Sequence, residues 1–307
     1  MDANLHLHSR FSDGSSWPEE IALDAAGQGL AMAALTDHDT LGGSIRFADA
    51  CGRLGLKAVQ ACEIDVVEPE IDYKSEILAY FPRAASKGIT ATKALLDGVL
   101  EGRRKRLEYF LYWSRTIFRR EDLCFKDILK FRLASAGPAD EATVASLSWS
   151  KVDLFLYLKE KGLLSPKSNY NNFKKDWFVP GRFPKYRLSK PTVRACVEAI
   201  HADSGFAVIP HFGHLWNDDV AAMENDAANF ESKLRHFRAR GVDGIEMYWY
   251  LGNKRTEEIN AFVAARAAPL GFFFTFGSDC HGSGTDKYTM GKFSGEFEGF
   301  PEKYARY

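Results

Sequence analysis

Residues 4–8, Asn4-Leu5-His6-Leu7-His8, alternate apolar and polar side chains, which is the pattern of a β-strand. In a strand, side chains two residues apart point to the same face, so His6 and His8 converge on one point. Two converging imidazoles can bind a metal ion, but a solvated strand with two histidines fits the pair equally well. The rest of the chain decides between these interpretations.

Short apolar runs alternate with helical patterns towards both ends of the chain. Seven strands alternating with helices favour an α/β fold, either a parallel barrel or a doubly wound sheet. The strands are predicted at residues 4–8, 31–36, 57–62, 76–81, 206–210, 244–249 and 272–276, with the third ending at Glu63. Helices are predicted at residues 18–27, 44–54, 192–202 and 254–268.

The central segment, residues 82–190, breaks this alternation because its pattern is mainly helical. It holds 23 lysines and arginines against 11 aspartates and glutamates, whereas the rest of the chain is acidic. We therefore expect an inserted, basic helical subdomain at 82–190. The barrel domain would then consist of residues 1–81 and 191–307.

Residue types that bind metals follow most of the predicted strands. In (β/α) barrels the active site is assembled at the carboxyl ends of the strands, where different strands each contribute a side chain. His214 could also face a substrate, because it lies in a loop three residues after His211. The candidates at the strand ends are His6, His8, His38, Glu63, His211, Asp279 and His281.

These motifs resemble those of the PHP (polymerase and histidinol phosphatase) family of metal-dependent phosphoesterases. The chain is most similar to the branch that cleaves nucleotide phosphates, which also carries an insert between the third and fourth motifs. The residues that carry the resemblance are His6-Leu7-His8 with Ser12-Asp13-Gly14, Thr36-Asp37-His38-Asp39-Thr40, Glu63, and Gly277-Ser278-Asp279-Cys280-His281-Gly282, with His211 as an additional histidine.

The resemblance implies a distorted (β/α)7 barrel that holds two or three divalent metal ions. Each ion would be bound by histidine and carboxylate side chains. The three ligand sets would be His6, His8, Glu63 and Asp279; Asp13, His38 and His281; and Glu63, His211 and one further residue.

The further ligand of the third metal is usually a histidine that opens a strand, and Glu76 stands at that place here. Only a short loop separates Glu63 from Glu76. We therefore expect the fourth strand to begin near the end of the third, so that Glu76 reaches the site. Glu76 is either a ligand or an outer carboxylate that orients the ligands.

Mixed imidazole and carboxylate ligands suit Mn²⁺, Fe²⁺ or Zn²⁺, and the carboxylate of Glu76 favours Mn²⁺. Adjacent metals can activate a water molecule and bind the phosphoryl oxygens. The sequence contains no Gly-x-Ser-x-Gly or P-loop motif, so we expect no side-chain nucleophile.

Basic residues of the insert are candidates for binding substrate phosphate. Arg103 and Arg106 share one face of a predicted helix, and arginine can bind two phosphate oxygens at once. An ordinary solvated helix explains this run equally well. Lys185 and Arg187 precede the return to the barrel and are further candidates for the mouth of the site.

The predicted function is hydrolysis of a phosphate ester of a small molecule by a metal-activated hydroxide. A nucleotide (mono- or 3',5'-bisphosphate) is the favoured substrate. Three alternatives stay open: an exonuclease on short oligonucleotides with the same site, a metal-dependent amidohydrolase that cleaves a C–N bond, and a non-catalytic nucleic-acid-binding module.

Cysteine spacing and hydropathy predict a cytoplasmic protein with no membrane partner. The five cysteines form no Cys-x-x-Cys pair, which is typical of reduced thiols. The sequence shows neither a signal-peptide pattern nor the run of roughly 18 apolar residues that a membrane helix needs.

Overall fold

The computed structural model describes residues 2–82, 88–134 and 140–291 and the backbone of residues 295–296. The chain divides into two compact units: Met1–Leu96 with Lys190–Tyr307, and Asp97–Ser189. The predicted start of the insert, at residue 82, is followed by residues 83–87, which lie outside the described residues.

Among the described residues, the strands all lie in the first unit, whereas helices occur in both. The strands are β1 (Asp2–Leu7), β2 (Met32–Leu35), β3 (Lys57–Glu68), β4 (Tyr73–Phe81), β5 (Phe206–Ile209), β6 (Gly244–Tyr248), β7 (Phe273–Gly277) and β8 (Gly295–Glu296). The helices are α1 (Pro18–Gly27), α2 (Ser44–Leu54), α3 (Ala91–Phe118), α4 (Phe125–Leu133), α5 (Glu141–Ala145), α6 (Lys151–Glu160), α7 (Tyr170–Phe173), α8 (Val193–Ala202), α9 (Val220–Asn225), α10 (Ala227–Ala239) and α11 (Thr256–Ala267).

The first seven strands form a nearly closed barrel. The strand order is β7-β6-β5-β4-β3-β2-β1-β8, and β8 pairs antiparallel with β1. The two ends of the barrel sheet meet just after β1 and β7. There the amide of His8 donates to the carbonyl of Cys280 (2.9 Å), and the amide of Cys280 donates to the carbonyl of His6 (3.3 Å). The predicted distorted (β/α)7 barrel is confirmed.

One barrel strand departs from the parallel arrangement. β4 runs antiparallel to both β3 and β5, whereas the other neighbouring pairs of the barrel sheet are parallel. The short connection explains this, because a parallel crossover needs a dozen or more residues and only residues 69–72 separate β3 from β4. The prediction that the third strand ends at Glu63 is wrong, since β3 continues to Glu68 and forms a hairpin with β4.

A layer of apolar side chains fills the barrel at the amino ends of its parallel strands. It includes Leu5, Val59 and Val208, together with Leu78 near the end of the antiparallel β4. The hydroxyl of Tyr80 donates to the carbonyl of Leu5 (2.8 Å) and so satisfies its own polar group inside this layer. This end of the barrel is therefore closed by an apolar layer, which we call the apolar floor. Polar side chains collect at the opposite end, where the parallel strands have their carboxyl ends.

Helices cover the outside of the barrel sheet through a second set of apolar contacts. Ile21 of α1 and Phe47 of α2 pack in one buried cluster with Leu35 of β2. On the other side, Val197 of α8 and Val263 of α11 belong to a larger cluster. Within the described part of the chain, none of the helices has the length and apolar character that crossing a bilayer requires.

Candidate metal centre

The structure brings the predicted metal ligands together in three adjoining groups at the carboxyl ends of the parallel strands. In each group, one ligand atom from every residue lies within 4.8 Å of those of the others. The groups are His6, His8 and Asp279; His8, Asp13, His38 and His281; and Glu63, Glu76 and His211.

Glu63 connects the three groups from the middle of β3. Its Oε2 atom lies 3.4 Å from Nε2 of His6 and 3.4 Å from Nε2 of His8. The same oxygen lies 3.1 Å from Nδ1 of His38, whereas Oε1 lies 3.2 Å from Nε2 of His211. One carboxylate oxygen thus faces the first two groups and the other faces the third, which is the arrangement of a carboxylate that bridges metal sites.

The first group is built on β1 and the segment after β7. The Nε2 atoms of His6 and His8 are 3.1 Å apart, so the two imidazoles converge as the alternation in this strand predicts. Asp279 Oδ1 lies 3.0 Å from Nε2 of His8 and 3.6 Å from Nε2 of His6. Both histidines are fully buried, which excludes the interpretation of a solvated strand.

The second group joins the loop after β1 to the loops after β2 and β7. Asp13 Oδ1 lies 3.2 Å from Nε2 of His281 and 3.8 Å from Nε2 of His38. The buried carboxylate of Asp37 stabilises the loop that carries Asp13, because it accepts hydrogen bonds from the Ser9 amide (2.7 Å) and hydroxyl (2.6 Å).

The third group depends on the hairpin of β3 and β4. Glu76 lies opposite Asp65 in the pairing register, two positions along β4 from the partner of Glu63. Its Oε2 atom is 3.9 Å from Nε2 of His211 and accepts a hydrogen bond from the Ser75 hydroxyl. The antiparallel strand therefore delivers Glu76 to the site, although it approaches less closely than Glu63 does.

The chemistry of the donors fits divalent metal ions. His6 Nδ1 lies 2.8 Å from Glu246 Oε1, and this hydrogen bond assigns the ring proton to Nδ1. Nε2 of the same ring faces the carboxylates of Glu63 and Asp279. A cation held between these imidazole nitrogens and carboxylate oxygens would be stabilised by both kinds of donor.

The electrostatics of the centre keep its carboxylates ionised. Burial alone would raise the pKa of Glu63, but the neighbouring imidazoles of His6 and His38 hold it well below its usual range. Burial and the adjacent His281 lower the pKa of His8 to about 3, so this imidazole is neutral. Burial would lower the pKa of His6, but Glu246, Glu63 and Asp279 raise it well above its usual value, so a metal would compete with a proton for this imidazole.

Glu246 contacts two of the candidate ligands, and the sequence interpretation did not assign it. It is fully buried on β6, where Oε1 contacts His6 Nδ1 and Oε2 accepts the amide hydrogen of His211 (2.9 Å). It thus orients one ligand through its ring and another through its backbone. In the sequence, the signal for Glu246 is its position as an acidic residue in the middle of an otherwise apolar strand.

Two of the candidate ligands have a backbone conformation that residues other than glycine rarely adopt. The φ angle is 53° at Asp279 and 29° at His211, both in the left-handed region. Such strain persists only where the surroundings impose it, and it is concentrated at functional sites.

The predicted substrate residues have diverse surroundings. Arg103 is 4% exposed and, with Arg106, donates to the carbonyl of Trp149, so both guanidinium groups take part in packing the second unit. Lys185 and Arg187 are exposed. Phosphate binding by these four residues stays a prediction.

His214 lies in the first unit beside the third group. Its ring stacks on His211 with 4.7 Å between centroids, and its Nδ1 lies 2.7 Å from Asp218 Oδ1. The stacking places His214 next to the metal centre. Its side chain is 40% exposed, so it is also accessible from solvent. Substrate binding by His214 also stays a prediction.

A barrel with histidines and carboxylates gathered at the carboxyl ends of its parallel strands is typical of metal-dependent enzymes. The family model of the PHP domain matches residues 4–146. Over residues 4–146 the chain is therefore similar to the PHP domain family.

Relatives match either most of the chain or about a fifth of it. The phosphoribosyl 1,2-cyclic phosphate 1,2-diphosphodiesterase of Eggerthella lenta is 27% identical, over 92% of this chain and 95% of its own. The 3',5'-nucleoside bisphosphate phosphatase of Chromobacterium violaceum is 25% identical, over 92% of this chain and 87% of its own. The error-prone DNA polymerase of Mycobacterium tuberculosis is 47% identical over 66 residues, which is 21% of this chain and only 6% of the polymerase.

Two solved structures share the fold. One is a predicted metal-dependent phosphoesterase from Bifidobacterium adolescentis, with a TM-score of 0.65, 21% identity, and coverage of 92% of this chain and 88% of that chain. The other is an amidohydrolase from Chromobacterium violaceum, with a TM-score of 0.66, 24% identity, and coverage of 94% and 90%.

Proposed function

We propose that this protein is a metal-dependent phosphoesterase. The observation that carries the proposal is the set of three adjoining ligand groups joined by Glu63 and His8. A structural metal site needs about four ligands that close it off, whereas this centre offers more donors than one ion can use. Several adjacent sites suit the binding and hydrolysis of a phosphate ester.

Our assignment of ligands follows the three groups. When bound, divalent metals would supply Lewis-acid stabilisation of phosphoryl oxygens and a low-pKa water. Glu63 would be shared between the sites, Glu246 would fix the ring of His6, and the apolar floor would exclude bulk water from below. The chemistry then needs no side-chain nucleophile.

We infer that the substrate is a small phosphorylated molecule, and specifically a nucleotide such as a nucleoside 3',5'-bisphosphate. Two relatives of similar length support this class, because their names describe a nucleoside bisphosphate phosphatase and a phosphoribosyl cyclic phosphate diphosphodiesterase. We further propose that the protein works in the reducing cytoplasm, which the free thiols of its cysteines support.

Release of inorganic phosphate tests this function. The Mn²⁺-loaded protein is expected to hydrolyse a nucleoside 3',5'-bisphosphate, to lose that activity after chelation, and to regain it when Mn²⁺ is restored. The corresponding 5'-monophosphate, a 1,2-cyclic ribose phosphate, a short oligonucleotide and an amide substrate serve as comparisons. Turnover of the amide alone would favour an amidohydrolase, and turnover of the oligonucleotide alone an exonuclease. Tight oligonucleotide binding without any hydrolysis would favour a binding module.

Glu76 is expected to bias the centre towards harder metals. A carboxylate at this position offers a hard oxygen where imidazole would favour Zn²⁺, so the wild type should be most active with Mn²⁺. Glu76→His should shift the preference towards Zn²⁺, and Glu76→Gln, which keeps the shape of the side chain but removes its charge and replaces one oxygen with an amide group, is the matched control. Reconstitution with each metal, followed by metal analysis and activity assay, measures the shift. The same order of metals in all three proteins would remove Glu76 from the ligand set.

A further inference from the structure

The loop after β7 brings a lysine to the metal centre. Asp279 and His281 lie at the start of this loop, and the amide of His281 donates to the carbonyl of Lys287 (3.0 Å). A second anchor follows, because the Thr289 hydroxyl donates to the carbonyl of Ser278 (3.0 Å). The loop therefore folds back on its own beginning, and Lys287 lies beside the ligands that precede it.

The side chain of Lys287 contacts the oxygen of Asp279 that faces away from the histidines. Its ammonium donates to Asp279 Oδ2, which also accepts a hydrogen bond from the Tyr248 hydroxyl (3.3 Å). Oδ1 of the same carboxylate lies 3.0 Å from Nε2 of His8 and 3.3 Å from Nδ1 of His281. Oδ1 of Asp279 thus faces the histidines of the ligand groups, and Oδ2 accepts the hydrogen bond from Lys287 at the edge of these groups.

Charge and exposure place the ammonium between the carboxylates and solvent. The side chain of Lys287 is 43% exposed, whereas that of Asp279 is 4% exposed. An ammonium has three N–H donors, so its bond to Asp279 leaves donors for an incoming anion.

We propose that Lys287 binds an oxygen of the substrate's phosphoryl group at the metal centre. This inference rests on the proposed phosphoesterase function and adds a cationic substrate contact that is not a metal ligand. A lysine ammonium is a compact point charge suited to a phosphate oxygen. Held by Asp279 before substrate arrives, it is a preorganised donor for the negative charge of the phosphoryl group during hydrolysis.

The test compares Lys287→Met with Lys287→Arg in the Mn²⁺-loaded full-length protein. Lys74→Met is the matched control, because Lys74 lies on β4 with its side chain 73% exposed. Calorimetry measures the Kd of inorganic phosphate, and metal analysis measures the bound Mn²⁺. Lys287→Met should weaken phosphate binding by about 10- to 100-fold at unchanged metal content, as expected for one charged hydrogen bond. Lys287→Arg should retain most of the affinity, and Lys74→Met all of it.

Kinetics on the phosphate ester provide an independent readout. Lys287→Met should lower kcat/KM by a similar factor, with Lys287→Arg restoring part of it. Wild-type phosphate affinity in Lys287→Met would overturn the proposal, and so would a lack of phosphate binding to the loaded wild type. Loss of Mn²⁺ in proportion to the loss of phosphate binding would also overturn it, because Lys287 would then only support Asp279. A wild type that binds phosphate through Lys287 but hydrolyses no phosphate ester would support Lys287 and refute the phosphoesterase function.

Discussion

Replacing Glu63 with glutamine is expected to lower phosphoesterase activity by a factor on the order of 10³ while leaving the barrel folded. Both oxygens of Glu63 contact histidines, with Oε2 3.1 Å from His38 and Oε1 3.2 Å from His211. Glutamine keeps the shape of the side chain but removes its negative charge and turns one oxygen into a hydrogen-bond donor. Such a donor repels the metals that the carboxylate would share, so bound metal should fall together with activity.

Metal content, steady-state kinetics and circular dichroism of the same preparations measure this effect. Glu257→Gln is the control, because Glu257 is an exposed glutamate in the first turn of α11 and lies outside the candidate ligand groups. It should retain full activity and full metal content. Near wild-type turnover of Glu63→Gln with a full complement of metal would show that Glu63 does not bridge the sites.

Gly277→Ala is expected to disrupt the centre from the end of β7. A Cβ atom at this position would overlap both Oε1 of Glu246 and the Cβ of His6, which leaves no room even for a methyl group. The pair that fixes the His6 ring must then move apart, since neither group is the free end of a flexible surface side chain. We expect a loss of about 1–3 kcal/mol in the free energy of unfolding and a 10- to 100-fold loss of metal affinity.

Denaturant unfolding and metal titration separate these two effects. Gly52→Ala in α2 is the matched control, because a Cβ at Gly52 meets no atom within 4 Å. Alanine is the better helix former, so this change should stabilise the protein by up to about 1 kcal/mol. A Gly277→Ala protein with wild-type metal affinity would mean that the contact between His6 and Glu246 does not orient the ligand.

The convergence of the candidate ligands was predictable because it depends on local patterns. The alternation at residues 4–8 places His6 and His8 on one face, and the apolar strand patterns end just before the other candidate ligands. Parallel strands with helical crossovers bring those ends to one side of a barrel. Strand period and connection length are properties of short segments, so they can be read without any long-range contact.

The course of the third and fourth strands was only partly predictable. The short separation between Glu63 and Glu76 indicated that the two strands lie close to each other. It did not indicate that β3 continues to Glu68, which shortens the connection to residues 69–72 and so requires β4 to run antiparallel. The continuation depends on pairing between the two strands, which an apolar run by itself does not specify.

By itself, the sequence determined the barrel class, the residue types of the candidate ligands and the side of the barrel on which they collect. Only the tertiary structure decided that Glu246 holds His6 from 240 residues away, that Lys287 contacts Asp279, and that Arg103 is buried against a carbonyl. Ligand residues follow strands that periodicity reveals. The residues that support them carry no periodic signal, because their roles arise only when closure of the barrel and packing of the helices bring distant segments into contact.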